Sequence, residues 1–158
     1  MKNDTKQNQL VVFSIDEHRY ALPLFTIERI VRAVDVTSLP KAPEMVTGIV
    51  NVQGRIIPVV SLRQRFGLPI REIGLNDQLI VARTKERYLA FTIDAALDVV
   101  TIPEKEVVHA EEILQGMEYV LGLIKQDDGL IHILDIDSIL SSGEAGSLDI
   151  AMDTGGKT

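Results

Sequence analysis

The sequence predicts an all-β protein, and three observations carry that reading. Short runs rich in Val, Ile, Thr and Tyr alternate with Gly- and Pro-bearing turns along most of the chain. Little of the chain shows helical spacing of apolar residues. One hairpin pattern occurs twice, at residues 46–62 and again at 120–136. Together these predict a pair of β-barrels or a β-sandwich.

The first hairpin, VTGIVNVQGRIIPVVSL, reads as two β-branched arms joined at Gln53-Gly54, where Gly54 supplies the backbone freedom of a tight turn. Pro58 lies inside the second arm and cannot donate to a ladder, which places it at an edge or beside a bulge. In the second copy, Val120-Leu-Gly122-Leu-Ile124 leads through Asp127-Asp128-Gly129 into Ile131-His-Ile-Leu-Asp135-Ile136. Ile57 then matches Ile131, Val59 matches Ile133, Ser61 matches Asp135 and Leu62 matches Ile136. The copies stand about 70 residues apart. They describe either two related β subdomains or two apolar hairpins that merely share a common pattern.

The 158 residues suit one ordinary domain or two small ones sharing a core. Hydrophobic residues make up 46%, yet aromatics only 4% and Trp is absent, so Val, Ile and Leu must build the interior. With no Cys there are no disulfides or thiolate metal sites, which suits a reducing compartment. A net charge of −7 argues against nucleic-acid binding through a general basic surface. The polar opening MKNDTKQNQ has no apolar signal region, and no run approaches the roughly 18–20 apolar residues of a membrane span. A soluble cytoplasmic protein is expected, without direct membrane insertion.

In chain order, residues 1–8 are a polar lead expected to be disordered. Strands are expected at 9–15 and 20–22. Leu24, Ile27, Ile30 and Val31 fall at helical spacing and predict a short amphipathic helix over 24–31, running into a strand towards 36. Residues 39–44 hold two prolines and form a loop. A helical turn at 63–67 ends on Gly67. Residues 68–76 read as a linker, which places a boundary between subdomains of about 9–72 and 73–140 within one domain spanning 9–140. Strand, turn and strand follow at 77–84, 85–87 and 88–93, with another strand at 96–102. Residues 103–117 are acidic and irregular, and a helical turn is expected at 136–140. Residues 141–158, rich in Gly, Ser and Asp, are expected to be a flexible tail, with at most a loose helix at 148–152.

No catalytic constellation is visible, and no catalytic residue, cofactor or metal ligand is assigned. His18, His109 and His132 are scattered, without H-x-x-x-H or H-E-x-x-H spacing. Nucleophile elbows, phosphate-binding loops and dinucleotide fingerprints are missing from the sequence. The carboxylate pairs at Asp94/Asp98, Glu111/Glu112, Asp127/Asp128 and Asp135/Asp137 are sequence neighbours, which does not establish a shared cleft. The Asp127, Asp128 and Asp135 spacing is not that of an EF-hand either. Two classes therefore remain: a protein–protein adaptor, or a small β-barrel enzyme or ligand-binding module.

The stretches Leu10-Val-Val-Phe-Ser-Ile, Tyr20-Ala-Leu-Pro-Leu, Ile27-Glu-Arg-Ile30, Gly48-Ile-Val-Asn51-Val-Gln-Gly54, Ile57-Pro58-Val-Val-Ser-Leu62-Arg63 and Tyr119-Val-Leu-Gly122-Leu follow one another in series. In that order they resemble the CheW family of bacterial chemotaxis coupling proteins. The likeness spans about residues 9–140. It implies two five-stranded SH3-like β-barrel subdomains sharing a hydrophobic core, with one or two short helices. It also implies a non-enzymatic adaptor, joining the regulatory domain of a CheA-type histidine kinase to the cytoplasmic tips of methyl-accepting chemoreceptors. Such a protein would be recruited from the cytoplasm to receptor arrays at the inner membrane. Whether the pathway serves swimming, twitching or another output is left open.

The resemblance places Ile27, Arg29, Ile30, Gly48, Asn51, Val52, Gln53 and Gly54 on the receptor-facing side. Ile27 and Ile30 could equally be plain core residues. Three positions depart from the family's common pattern. Arg29 stands where an acid is common, although Glu28 precedes it. Gln53 replaces an Arg in the turn, and Ser61 replaces an Asp before Leu62-Arg63. With Arg29 and Gln53 together, no negative–positive pair forms between these two positions, which points to a receptor tip of different charge.

Overall fold

The structure is a computed structural model of the chain and describes residues 7–32, 35–74, 76–109, 119–127 and 129–155. The acidic pair at 111–112, most of the polar lead and Asp128 lie outside the described residues. Strand β1 (Gln7–Ile15) turns through Asp16 and Glu17, both with positive φ, into β2 (His18–Pro23). Two left-handed residues are the backbone of a type I′ hairpin turn. A 3₁₀ turn at Leu24–Thr26 then leads into β3 (Ile27–Arg32).

The helix expected over 24–31 is therefore a strand. The register of β3 shifts between Ile27 and Arg29, so Glu28 is an extra residue in the ladder with β6 (Gln78–Arg83). A strand normally repeats every two residues, and one inserted residue stretches that to three. Ile27 and Ile30 consequently both face the interior, at a spacing that imitates a helix.

Strands β4 (Val46–Val52) and β5 (Arg55–Val60) form the first hairpin, followed by helix α1 (Leu62–Phe66). Gln53 and Gly54 have φ of 51° and 85°, again a type I′ pair. The Ser61 hydroxyl accepts from the Gln64 amide, and Gly67 closes α1 in the left-handed conformation. The chain continues through β7 (Tyr88–Ile93), β8 (Ala95–Pro103) and the short β9 (Val108–His109). The second hairpin, β10 (Val120–Gln126) and β11 (Gly129–Leu134), precedes a 3₁₀ turn and helix α2 (Ser142–Gly155).

The two hairpins are equivalent in detail. Each has a register shift beside its glycine, at Val46/Gly48 and at Val120/Gly122. Beyond the shift, each glycine meets a neighbouring segment that leaves no room for a side chain. A Cβ on Gly48 would press on the Thr37 carbonyl and lie 2.8 Å from Val36 Cγ1; one on Gly122 would lie 2.8 Å from Val107 Cγ1 and from the Val108 carbonyl oxygen. The Ser61 amide donates to the Met45 carbonyl and the Asp135 amide to the Tyr119 carbonyl, each at 2.8 Å. Ser61 and Asp135 both then cap the helical turn that follows.

Pro58 fits because of this geometry. β5 is an inner strand, but Ile49, opposite Pro58, spends both its amide and its carbonyl on Thr37, away from β5. Pro58 therefore owes β4 no donor, and the parallel pairing of β5 with β7 begins only at Val59. The proline sits beside the bulge and one residue before the ladder needs an N–H.

The sheets run β8-β1-β2-β11-β10-β9 and β3-β6-β7-β5-β4. One thus has six strands, through the two-residue β9, where five were expected. Both follow one plan: a hairpin flanked by a lone strand on one side and joined in parallel to a second hairpin on the other. The parallel contacts are β2 with β11 and β7 with β5. Each sheet takes its first hairpin from one half of the chain and its second from the other. A boundary near 72/73 therefore separates two runs of like strand order and does not separate the sheets.

Alternate residues feed different cores. Leu79 and Val81 of β6 enter a cluster inside the five-stranded sheet, with Val50, Ile57, Val59 and Ala90. Ile80 and Ala82 point the other way, into the core between the sheets. Leu10, Val12, Ala21, Ile102, Ile124, Ile131 and Ile133 fill the six-stranded sheet. Clusters drawn from strands across a whole sheet require that sheet to curl. Phe13, Tyr20 and Phe91 join the shared core, with Phe66 and Tyr119 packed against it, so five of the seven aromatics gather between the sheets.

The C-terminal segment is not a flexible tail over residues 142–155. Leu148 and Ala151 of α2 are fully buried in the shared core. Ser141 and Glu144 form a reciprocal capping box: the Glu144 amide donates to the Ser141 hydroxyl at 3.1 Å, and the Ser141 amide to Glu144 Oε1 at 2.8 Å. Arg65 pairs with Glu144, and Arg87 with Asp149 at 2.6 Å.

Candidate functional site

The curl of the five-stranded sheet brings the β4–β5 turn towards β3. Arg55, the first residue of β5, reaches Glu28 at the β3 bulge, with Nη1 at 3.2 Å from Oε1 and 3.3 Å from Oε2. Of the residues singled out from sequence, Gln53 and Gly54 stand exposed at the turn. Asn51 is exposed too, but its side-chain oxygen accepts from the Gly54 amide at 2.8 Å and holds the turn closed. Val52 packs against the inner cluster.

Gly48 is buried against Thr37 and sets strand geometry, away from the surface. Ile27 and Ile30 are half-buried against the shared core. Arg29 is 36% exposed, its Nε buried without a hydrogen-bond partner and 4.0 Å from Glu28.

Gln53 is uncharged, so no ion pair joins positions 29 and 53. An opposite pair does bridge β3 and the hairpin, formed by Glu28 and Arg55. Sequence reasoning also missed Tyr88 and Arg83. The Arg55 guanidinium lies 3.9 Å from the Tyr88 ring centroid and that of Arg83 4.9 Å, with Arg83 Nη1 3.2 Å from the Tyr88 hydroxyl. Arg83 and Tyr88 are cross-strand partners on either side of a four-residue turn. That placement is readable once β6 and β7 are recognised as a hairpin.

A second charged cluster has a structural role. Arg63 donates to Asp94 at 3.1 Å and pairs with Asp16 at 2.7 Å. Arg71 grips Asp77 with two bonds of 2.8 and 2.9 Å and reaches Asp94 at 2.6 Å. Burial by itself raises the Asp77 and Asp94 carboxyls. Arg71 and the Gly74 amide outweigh it at Asp77, and the Asp16 amide with Arg71 and Arg63 at Asp94, so both lie below the usual carboxylate value. Arg71 is raised, chiefly by its bond to Asp77. The network ties the linker to the β1–β2 turn and the end of β7, beside a cavity of about 200 Å³. Arg63 is only 11% exposed, its charge used internally. Among the described residues no group of three His, Cys, Asp or Glu side chains could hold a metal ion, and no helix is long and apolar enough to cross a membrane.

Such a body, with exposed turns and internally matched charges, invites comparison with known proteins. The CheW-like domain family matches residues 9–144. The chain belongs to the CheW family. It is 36% identical over 135 residues to the chemotaxis protein CheW of Thermotoga maritima, covering 85% of this chain and 89% of that protein. The Helicobacter pylori chemotaxis protein CheW is 30% identical over 133 residues, with 84% and 81% covered. Among solved structures, the scaffolding protein TtCheW from Thermoanaerobacter tengcongensis superposes with a TM-score of 0.79 at 28% identity, covering 88% of this chain and 96% of that one. The CheW match includes Ser141 and Glu144, so it reaches the cap of α2.

Proposed function

We propose that the chain is a chemotaxis coupling scaffold that holds the regulatory domain of a CheA-type histidine kinase against the cytoplasmic tip of a methyl-accepting chemoreceptor. It performs no chemical step itself, and it works in the cytoplasm at receptor arrays on the inner membrane. The observation that carries the reading is the family match over residues 9–144, on relatives whose own lengths are almost fully spanned. Exposed turns and sheet ends suit partners that dock on preformed surfaces.

The receptor-facing surface on this reading is the Asn51–Gly54 turn with Val52, Gln53 and Arg29, and with Ile27 and Ile30 behind it. Gly48 contributes by letting Thr37 approach β4. The test is a pull-down on the immobilised chain with the two partners offered separately. Retention of both supports the scaffold, whereas binding of neither, with a small molecule co-purifying, overturns it in favour of a ligand-binding module. Ile27→Asp sorts the surface from the core. Weakened receptor binding in a folded protein supports the surface assignment, and unfolding removes Ile27 from it.

A further inference from the structure

We propose that Arg29, Arg55 and Arg83, gathered with Tyr88 at one end of the five-stranded sheet, form a carboxylate-binding cluster that takes an acidic segment of the receptor tip. This rests on the receptor-coupling reading and adds the chemistry of the partner surface. The four residues come from β3, β5, β6 and β7 and are joined by a continuous chain of contacts. Glu28 lies 4.0 Å from Arg29 and 3.2 Å from Arg55, and Tyr88 carries both Arg55 and Arg83 against its ring.

The Arg29 and Arg55 guanidiniums thus share the Glu28 carboxylate while that of Arg83 lies against Tyr88, on a chain whose net charge is −7. Arg55 is 48% exposed and Arg29 36%, so both forks can be reached from solvent.

Guanidinium forks match carboxylates in two-bond geometry, and an aromatic ring beneath them limits the freedom lost on docking. The acidic remainder of the chain repels extended polyanions, which disfavours nucleic acid and anionic bilayers. A protein segment offering two carboxylates needs only the local field, because screening confines it to about 8 Å at physiological salt. Arg55 directly follows the Gln53-Gly54 turn, so the cluster is continuous with the receptor-facing surface.

The experiment titrates the full chain with a receptor-tip fragment at low and at physiological ionic strength. Arg55→Gln with Arg83→Gln is expected to weaken binding about tenfold and flatten its salt dependence. Glu28→Gln, which removes the competing carboxylate, is expected to tighten binding about threefold. Lys105→Glu, an exposed reversal on the six-stranded sheet's connection, is expected to leave affinity unchanged. A denaturation midpoint accompanies each variant, so a folding defect is separated from a binding one. Unchanged affinity and salt slope in the arginine variant, or loosened binding in Glu28→Gln, overturn the cluster while leaving the coupling function intact. Absence of binding by the unsubstituted chain overturns both.

Discussion

Gly48 and Gly122 each stand where a second segment crosses so close to the strand that one methyl group has no space. Replacing either with Ala should cost about 1–3 kcal/mol, the range for overpacking a tight site. Chemical denaturation checks this, and a loss in both variants would bear on the equivalence of the two hairpins. At the turn the expectation differs: Glu28→Gln removes a half-exposed ion pair and should change stability by less than about 1 kcal/mol. The glycines were legible in sequence as a repeated Val-x-Gly pattern. The Glu28–Arg55 pair was not. Successive side chains on a strand point to opposite faces, and the bulge at Glu28 resets which face each one takes. Positions 29 and 53 therefore said nothing about the charges one or two residues away.

Helix α2 shows how an element can be missed when composition is weighed above local signals. Two internal glycines and several serines suggest a frayed tail. Yet Ser141-x-x-Glu144 is a capping-box signature in the sequence itself, and Leu148 with Ala151 supplies one buried stripe. Short helices draw their stability from packing more than from propensity. Leu148→Ala should accordingly cost about 2–5 kcal/mol in denaturation experiments, as for other fully buried leucines. The ion pairs of this element and of the linker give a pH dependence. Burial opposes it, but bonds to the Ser141 amide and Arg65 hold Glu144 below its usual value, as other partners hold Asp77 and Asp94. Their stabilisation is present above the ordinary carboxylate range of about 4 and is lost as pH falls through the lowered folded values. The urea midpoint should therefore drop on acidification from neutral pH, and drop less in Asp94→Asn. A midpoint insensitive to acid would contradict the roles given to these carboxylates.

At the scale of the whole molecule, the repeated pattern in sequence corresponds to two structurally equivalent hairpins, one in each sheet, while the partition of the chain was hidden. Nothing local in β2 or β11 announces that they will pair in parallel across more than a hundred residues. Because each sheet borrows a hairpin from the other half, neither half has a complete sheet. Unfolding should then be one cooperative transition, with backbone and tyrosine circular dichroism coinciding; separate transitions would argue for independent subdomains. The same interleaving sets both sheets around one shared core. The proposed coupling function requires both partners to be bound at once, and sedimentation velocity of the chain mixed with both the CheA-type regulatory domain and the receptor-tip fragment measures it. The account predicts a ternary species heavier than either binary complex. Only binary species, with each partner displacing the other, would contradict it.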